Sequence, residues 1–378
     1  MTRVRSIDIL RGAIMLLMAI DHIRVFSGIP AGDTELYLFL TRWITNFCAP
    51  GFAFFAGTAI FYQAQKTTDK NSLSIFLIKR GLLLVVLELT VIRFFWTFNL
   101  NYSDFVLAGV IWMLGWCMAL MALLIRLKSS AVGIIGFIII LAQQFFLFVP
   151  KAIPRSLQPQ FINMWQFIYP AGVEETGAIH VLYVIVPWIG VMALGYGFGL
   201  IMIMTAHRRK RICLIIGVAF IALFAIIGSV FSFNSTTGEN ALPFIFRLLN
   251  QNKYPPSPLF LLMTLGPLIA LIPIVEKAKG RFLTALSVIG KVPLFYYLLH
   301  ILLIHISAIA VNLVRDGQTH QAWYQIAPFG TRQAKGVRWG LPLLYFVFLI
   351  DTGLLYFACN WYLKYKKGHP EKKWLKYI

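Results

Sequence analysis

The chain has 378 residues, 59% of them hydrophobic and only 13% charged, with a net charge of +20. Soluble domains run nearer about 45–50% apolar and about 25% charged, so a water-facing surface cannot be built from this composition and lipid must be the main solvent. The basic residues cluster in short gaps between apolar runs, which is the positive-inside pattern of membrane proteins and not a nucleic-acid-binding surface.

A membrane-spanning helix needs about 20 mostly apolar residues. Ten such segments follow one another: 7–27, 46–64, 75–96, 104–125, 130–149, 181–204, 210–232, 257–275, 284–312 and 340–363. The expected fold is an all-α integral membrane protein of about ten transmembrane helices in one bundle, a single domain over 1–378. The ninth segment is long and is expected to be tilted or broken near Pro293. With the N-terminus cytoplasmic, 21 Lys and Arg fall in inside segments and nine in outside ones. An even number of helices then returns the basic tail to the cytoplasm as well. The outer connections 28–45, 150–180, 233–256 and 313–339 carry Trp165, Tyr169, Tyr254 and Trp323. These aromatic residues read either as the wall of an acceptor groove or as an interfacial belt. Cys48, Cys117, Cys213 and Cys359 form no CxxC pair and lie in apolar stretches, which argues against a metal site or a disulfide framework.

The first segment carries the most chemistry. At about 100° per residue, Asp8, Arg11, Met15, Met18 and His22 fall within one stripe less than a quarter-turn wide. Arg11 stands near the cytoplasmic end and His22 about 16 Å further along. Ionisable groups inside a bilayer face a bundle interior or a watery cavity. The stripe therefore reads as a tunnel wall, with an Arg for a phosphate and a His as general base, since an imidazole titrates near pH 6.5. The blander reading is a helix docked by an Asp8–Arg11 pair. Asp21 points about 100° away from His22, so Asp21 and Arg24 are expected to pair with other helices. Asn46, at the outer end of the second segment, either holds a substrate amide or His22, or caps a helix. Glu88 and Arg93 are five apart and are expected to pair elsewhere in structural roles. In the ninth segment Tyr296, Tyr297 and His300 share a face, and His305 lies opposite. Lys291, near the cytoplasmic end, either takes a phosphate or snorkels to lipid headgroups. Asp351 is a further buried acid in need of a partner.

Ser6-Ile7-Asp8-Ile9-Leu10-Arg11-Gly12 resembles the S-x-D-x-x-R-G opening of the heparan-α-glucosaminide N-acetyltransferase catalytic-domain family. Residues 41–61, with Asn46, Pro50 and Gly57, are similar to that family's next helix, and the helix from Lys291 to His300 resembles bacterial members. The spacing from Arg11-Gly12 to His22 is also similar to the wider transmembrane acyltransferase superfamily. The resemblance implies that acetyl-CoA is a co-substrate entering from the cytosol, with no metal. The acyl group then crosses within the protein to a saccharide acceptor at the outer face. It also implies a multi-pass protein of the bacterial inner (plasma) membrane, surrounded by lipid, with no nucleic-acid partner and with a homodimer as one assembly it allows. By position His22 would be the catalytic His, with Asn46 and His300 as further catalytic candidates. Arg11, Lys79, Arg80 and Lys291 would serve the CoA phosphates, and Asp8, Asp21, Arg24 and Tyr296 would orient the site. Direct transfer and an acyl-histidine intermediate both remain open. The competing reading is a proton-coupled transporter or flippase of a sugar or anionic small molecule, in which the same buried charges form a substrate path.

Overall fold

A computed structural model describes residues 4–29, 35–170, 178–234, 243–329, 333 and 336–378. Arg3, Arg332 and Lys335, counted in the charge balance above, lie outside the described residues. In chain order the elements begin with α1 (Arg5–Phe26), α2 (Leu36–Trp43), α3 (Cys48–Lys66) and α4 (Lys70–Leu87). A π-helical turn (Glu88–Ile92), α5 (Arg93–Thr97), β1 (Val106–Ala108), α6 (Val110–Leu124), α7 (Ser129–Ala142), α8 (Gln158–Trp165) and β2 (Ile179–Val181) follow. The remainder is α9 (Trp188–Met202), α10 (Ala206–Asn234), α11 (Phe244–Leu249), α12 (Pro258–Lys277), α13 (Arg281–Lys291), α14 (Pro293–Asp316) and α15 (Leu341–Gly368).

Helix makes up most of the ten apolar segments, but 104–125 opens with β1 and is helical only from Val110, and 181–204 is helical only from Trp188. Among the described residues six helical stretches are long and apolar enough to cross a membrane, and Val110–Leu124 and Trp188–Met202 are shorter apolar helices. α1 has 22 residues but carries Asp8, Arg11, Asp21 and Arg24. The ninth segment is broken at Val292. Pro293 opens α14 as its first residue, where the missing N–H leaves no hydrogen bond unmade.

The chain folds as two compact units. The first holds Ala49–Val91 and Asn101–Pro273. Its helices pack backbone to backbone through small residues, as helices in lipid must when apolar surface alone gives no preference for association. α4 and α6 approach at Gly81 and Gly115, and Ser74 Oγ donates to Ala122 O at 2.8 Å. α7 and α9 approach at Gly133 and Gly197, and Thr58 Oγ1 on α3 donates to Gly195 O at 2.9 Å. Buried Glu88 aims its carboxyl at the backbone amides of Gly109, Ile111 and Trp112, where α6 begins. A helix N-terminus favours negative charge there. Asp69 caps α4, accepting from the amides of Asn71 and Ser72, and its bond from the Ser72 hydroxyl does most to hold its carboxyl below the usual carboxylate range. β1 and β2 make a short parallel pair, Val106 opposite Ile179.

The second unit holds Arg3–Cys48, Ile92–Leu100 and Ile274–Ile378. α1 runs parallel to α13 and α14. Arg5 reaches Thr284, Arg11 reaches Gly290 and His22 reaches His300, so the offset stays at 278–279 residues for most of the helix. The contact is close because of two glycines. A Cβ on Gly12 would stand 2.0 Å from Leu286 O, and one on Gly290 would stand 1.9 Å from Asp8 O. α15 is antiparallel to α14: Ser307 Oγ donates to Asp351 at 2.8 Å, and the Phe295 and Tyr362 rings stack at 4.2 Å. α15 buries Leu344, Val347, Asp351, Leu355, Cys359 and Tyr362 and exposes Phe346, Leu349, Leu354, Phe357 and Trp361. An exposed stripe of that composition is a lipid contact, since water would demand charge there.

Candidate functional site

The stripe on α1 faces inward within the second unit. Asp8, Met15 and Met18 are buried, the Arg11 side chain is 12% exposed, and His22 is half-buried. Arg11 Nη1 stands 3.9 Å from Asp8 Oδ1 and donates to Gly290 O at 3.4 Å. The docking pair and the inward-facing stripe are thus both present.

His22 and His300 are joined directly. His22 Nδ1 lies 2.8 Å from His300 Nε2, and the two rings stack with centroids 4.9 Å apart. The protons follow from the partners. His300 Nδ1 is 2.5 Å from Tyr297 O and 3.2 Å from Tyr296 O. A carbonyl only accepts, so His300 Nδ1 must carry a hydrogen. With both rings neutral, His300 Nε2 then accepts, His22 Nδ1 donates, and the His22 lone pair is on Nε2. Two backbone carbonyls therefore select the tautomer of a ring on another helix. Tyr296 stacks on His300 at 5.3 Å, and its buried hydroxyl has no hydrogen-bond partner among the described residues.

Three aromatic side chains close around the pair. Trp96, from α5, meets the His22 ring edge-on at 4.7 Å, and Tyr297 does so at 6.5 Å. Phe26, one turn beyond His22, stacks on Trp96 at 5.5 Å. His305 is a packing residue: it stacks on Phe98 at 3.8 Å and its Nδ1 donates to Phe95 O at 2.8 Å. Trp96 was not singled out in the sequence. A Trp at the end of an apolar run reads as packing, and only its position against His22 marks it.

Other expected residues fall differently. Among the described residues Arg24 makes no hydrogen bond to another helix. It grips Asp21 three residues back on α1, with Nε and Nη2 at 3.1 and 2.9 Å from Oδ1, and its Nη1 donates to Ile29 O at 2.8 Å. An i,i+3 pair of this kind fixes the end of α1. Asn46 is half-buried in the 3₁₀ turn Ile44–Phe47, and no hydrogen bond joins it to His22 among the described residues. Lys291 is half-buried at the end of α13, next to Gly290. Lys79, exposed, and Arg80, half-buried, stand on α4 in the first unit. Arg93 is buried and donates to Asn99 O rather than pairing with Glu88, whose carboxyl oxygens have no hydrogen-bond partner among the described residues. Among the described residues no group of three or more His, Cys, Asp or Glu is placed to hold a metal ion.

The arrangement holds a basic imidazole nitrogen of fixed tautomer in an aromatic setting, with a guanidinium three turns away along the same helix face. Among known families, the model described as heparan-alpha-glucosaminide N-acetyltransferase, catalytic, matches residues 3–233. The match includes Arg11, His22 and Trp96 and stops short of His300. No curated protein matches the chain.

Proposed function

The chain belongs to the heparan-α-glucosaminide N-acetyltransferase catalytic family, whose members are membrane acetyltransferases, and from that premise we propose that it transfers an acetyl group from cytosolic acetyl-CoA to a sugar amine or hydroxyl at the outer membrane face. The observation that carries the reading is the His22–His300 hydrogen bond with its backbone-selected tautomer.

In direct transfer the sugar O–H or N–H gives its proton to His22 Nε2 while its lone pair forms the new bond to the acyl carbon. The carbonyl π pair moves onto oxygen. It then returns as the C–S bond breaks, and the CoA thiolate leaves with the proton that His22 took. His300 stabilises the imidazolium by accepting from His22 Nδ1, and its own proton stays on the carbonyl side. An acyl-histidine route would use the same nitrogen as nucleophile. Arg11 and Lys291, both in the second unit, are proposed to meet the CoA phosphates. The parallel run of α1 with α14, and the antiparallel run of α14 with α15, fit an order in which both ends lie on one side of the membrane, and the excess of basic residues in the segments on that side is the reason for taking it as the cytoplasmic one.

The test is transfer by the purified protein from labelled acetyl-CoA to hexosamine acceptors. Labelled product supports the reading. Sugar flux in reconstituted vesicles without acyl-CoA, and no product, would replace it with transport. Replacing His300 with phenylalanine is expected to lower kcat at least about 10²-fold with little change in KM, because His22 loses the partner that fixes its tautomer. Steady-state kinetics of that variant check it.

A further inference from the structure

Several polar groups of α5 have partners beyond their own helix turn, and one buried donor has none among the described residues. Phe95 O accepts from His305 at 2.8 Å, Thr97 O accepts from Gln321 Nε2 at 2.7 Å, and the Thr97 hydroxyl donates to Arg93 O at 3.1 Å. The Trp96 indole N–H has essentially no accessible surface and no hydrogen-bond partner among the described residues. A buried donor left unmade costs about 1–3 kcal/mol, and native proteins rarely keep one without a use for it. This one belongs to the ring that lies against His22.

The chemistry of the two rings is complementary. An indole N–H only donates, so the group that satisfies it must be an acceptor. The His22 Nε2 lone pair only accepts, so it meets a donor. A hydroxyl or amine nucleophile supplies the donor, and an acyl carbonyl supplies the acceptor.

We propose that the Trp96 indole N–H is a catalytic hydrogen-bond donor to the acyl carbonyl oxygen, holding it as it gains negative charge. The assignment rests on the acetyltransferase reading. As the nucleophile bonds to the acyl carbon and His22 takes its proton, the C=O pair becomes an oxyanion facing the indole N–H. When the pair returns and the C–S bond breaks, the oxygen is again a neutral carbonyl and the N–H bond to it weakens. The donor neither gains nor loses a proton. The N–H is shut off from solvent at rest, so it sheds little water on meeting the oxygen, and in a low-dielectric setting the bond is worth more than in water. The substrate class this implies is a planar acyl thioester.

The experiment uses the full chain in lipid nanodiscs, with acetyl-CoA and a hexosamine acceptor that the wild type acetylates. Trp96→Phe removes the donor. A second variant carries 3-benzothienylalanine at position 96 by stop-codon suppression, which keeps the bicyclic shape and replaces N–H with sulfur. The expected result for both is a kcat about 10²–10³-fold lower, the scale of losing one oxyanion donor, with CoA affinity unchanged. The sulfur analogue should also keep the wild-type melting temperature, since the N–H has no protein partner to lose. A wild-type kcat in the sulfur analogue overturns the assignment of Trp96 and leaves the acetyltransferase reading intact. A wild-type protein that transfers nothing to any acceptor overturns that reading, and the assignment with it.

Discussion

Replacing His22 with alanine is expected to lower acetyl transfer by about 10²–10⁴-fold, the range for removing a positioned general base. Among the described residues, the imidazole next to His22 cannot stand in for it. His300 Nδ1 is turned to the carbonyls of Tyr296 and Tyr297, and its Nε2 is turned to His22. The fold should survive the change. His22 is only half-buried, and the first half of α1 is held by its close contact with α13 at Gly12 and Gly290. The variant does leave His300 Nε2 an unmade buried acceptor, which costs about 1–3 kcal/mol, so a modestly lower melting temperature is expected. Kinetics and thermal melting of the purified variant, beside CoA binding, separate the two effects. Retained transfer would remove His22 from the chemistry.

The second large effect is on the fold. Gly290→Val is expected to prevent α1 and α13 from packing. The first side-chain carbon at Gly290 would stand 1.9 Å from Asp8 O and 2.9 Å from Gly12 N. Both are backbone atoms of a helix, so no rotamer change relieves the clash and one helix must move away. Overpacking typically costs about 1–3 kcal/mol, and a forced backbone separation sits at or above the top of that range. Total stabilities are only about 5–15 kcal/mol, so a large fall in folded yield follows. Arg11 would also lose its contact with Gly290 O. Gly353→Ala is the control, since nothing lies within 4 Å of a Cβ there. Size-exclusion profiles and melting of the two variants check this: Gly290→Val should aggregate and Gly353→Ala should not.

The helices were legible because lipid imposes a simple rule of length and apolarity on each span. Pro293 marked the break in the ninth segment for a local reason, its fixed φ and missing N–H. The short helices α2, α8 and α11, and the β1–β2 pair, were not legible. The three helices lie in connections that read only as long, and β1 falls inside the segment 104–125 that reads as a span, where apolarity alone does not tell strand from helix.

The opening motif was legible as a pattern, but its glycine reads differently once the neighbour is seen. Gly12 is the place where α13 touches α1. His22 and His300 were each visible as candidates. Their hydrogen bond was not, because it joins residues 278 apart and depends on the α1–α14 register. Arg24 was expected to reach across helices and instead closes on Asp21, since an i,i+3 neighbour was already in range. Trp96 carries no sequence signal at all. A tryptophan in an apolar run is ordinary, and only an unmade N–H beside an imidazole distinguishes it.

The central claim is that one path through the protein joins a donor on the Arg11 side to an acceptor on the His22 side. Vesicles containing protein oriented one way, with the hexosamine acceptor sealed on the His22 side and labelled acetyl-CoA only on the opposite side, test it most directly. Acetylated sugar should appear in the acceptor compartment, with free CoA left in the donor compartment. Product formed only when both substrates share one compartment would contradict the account.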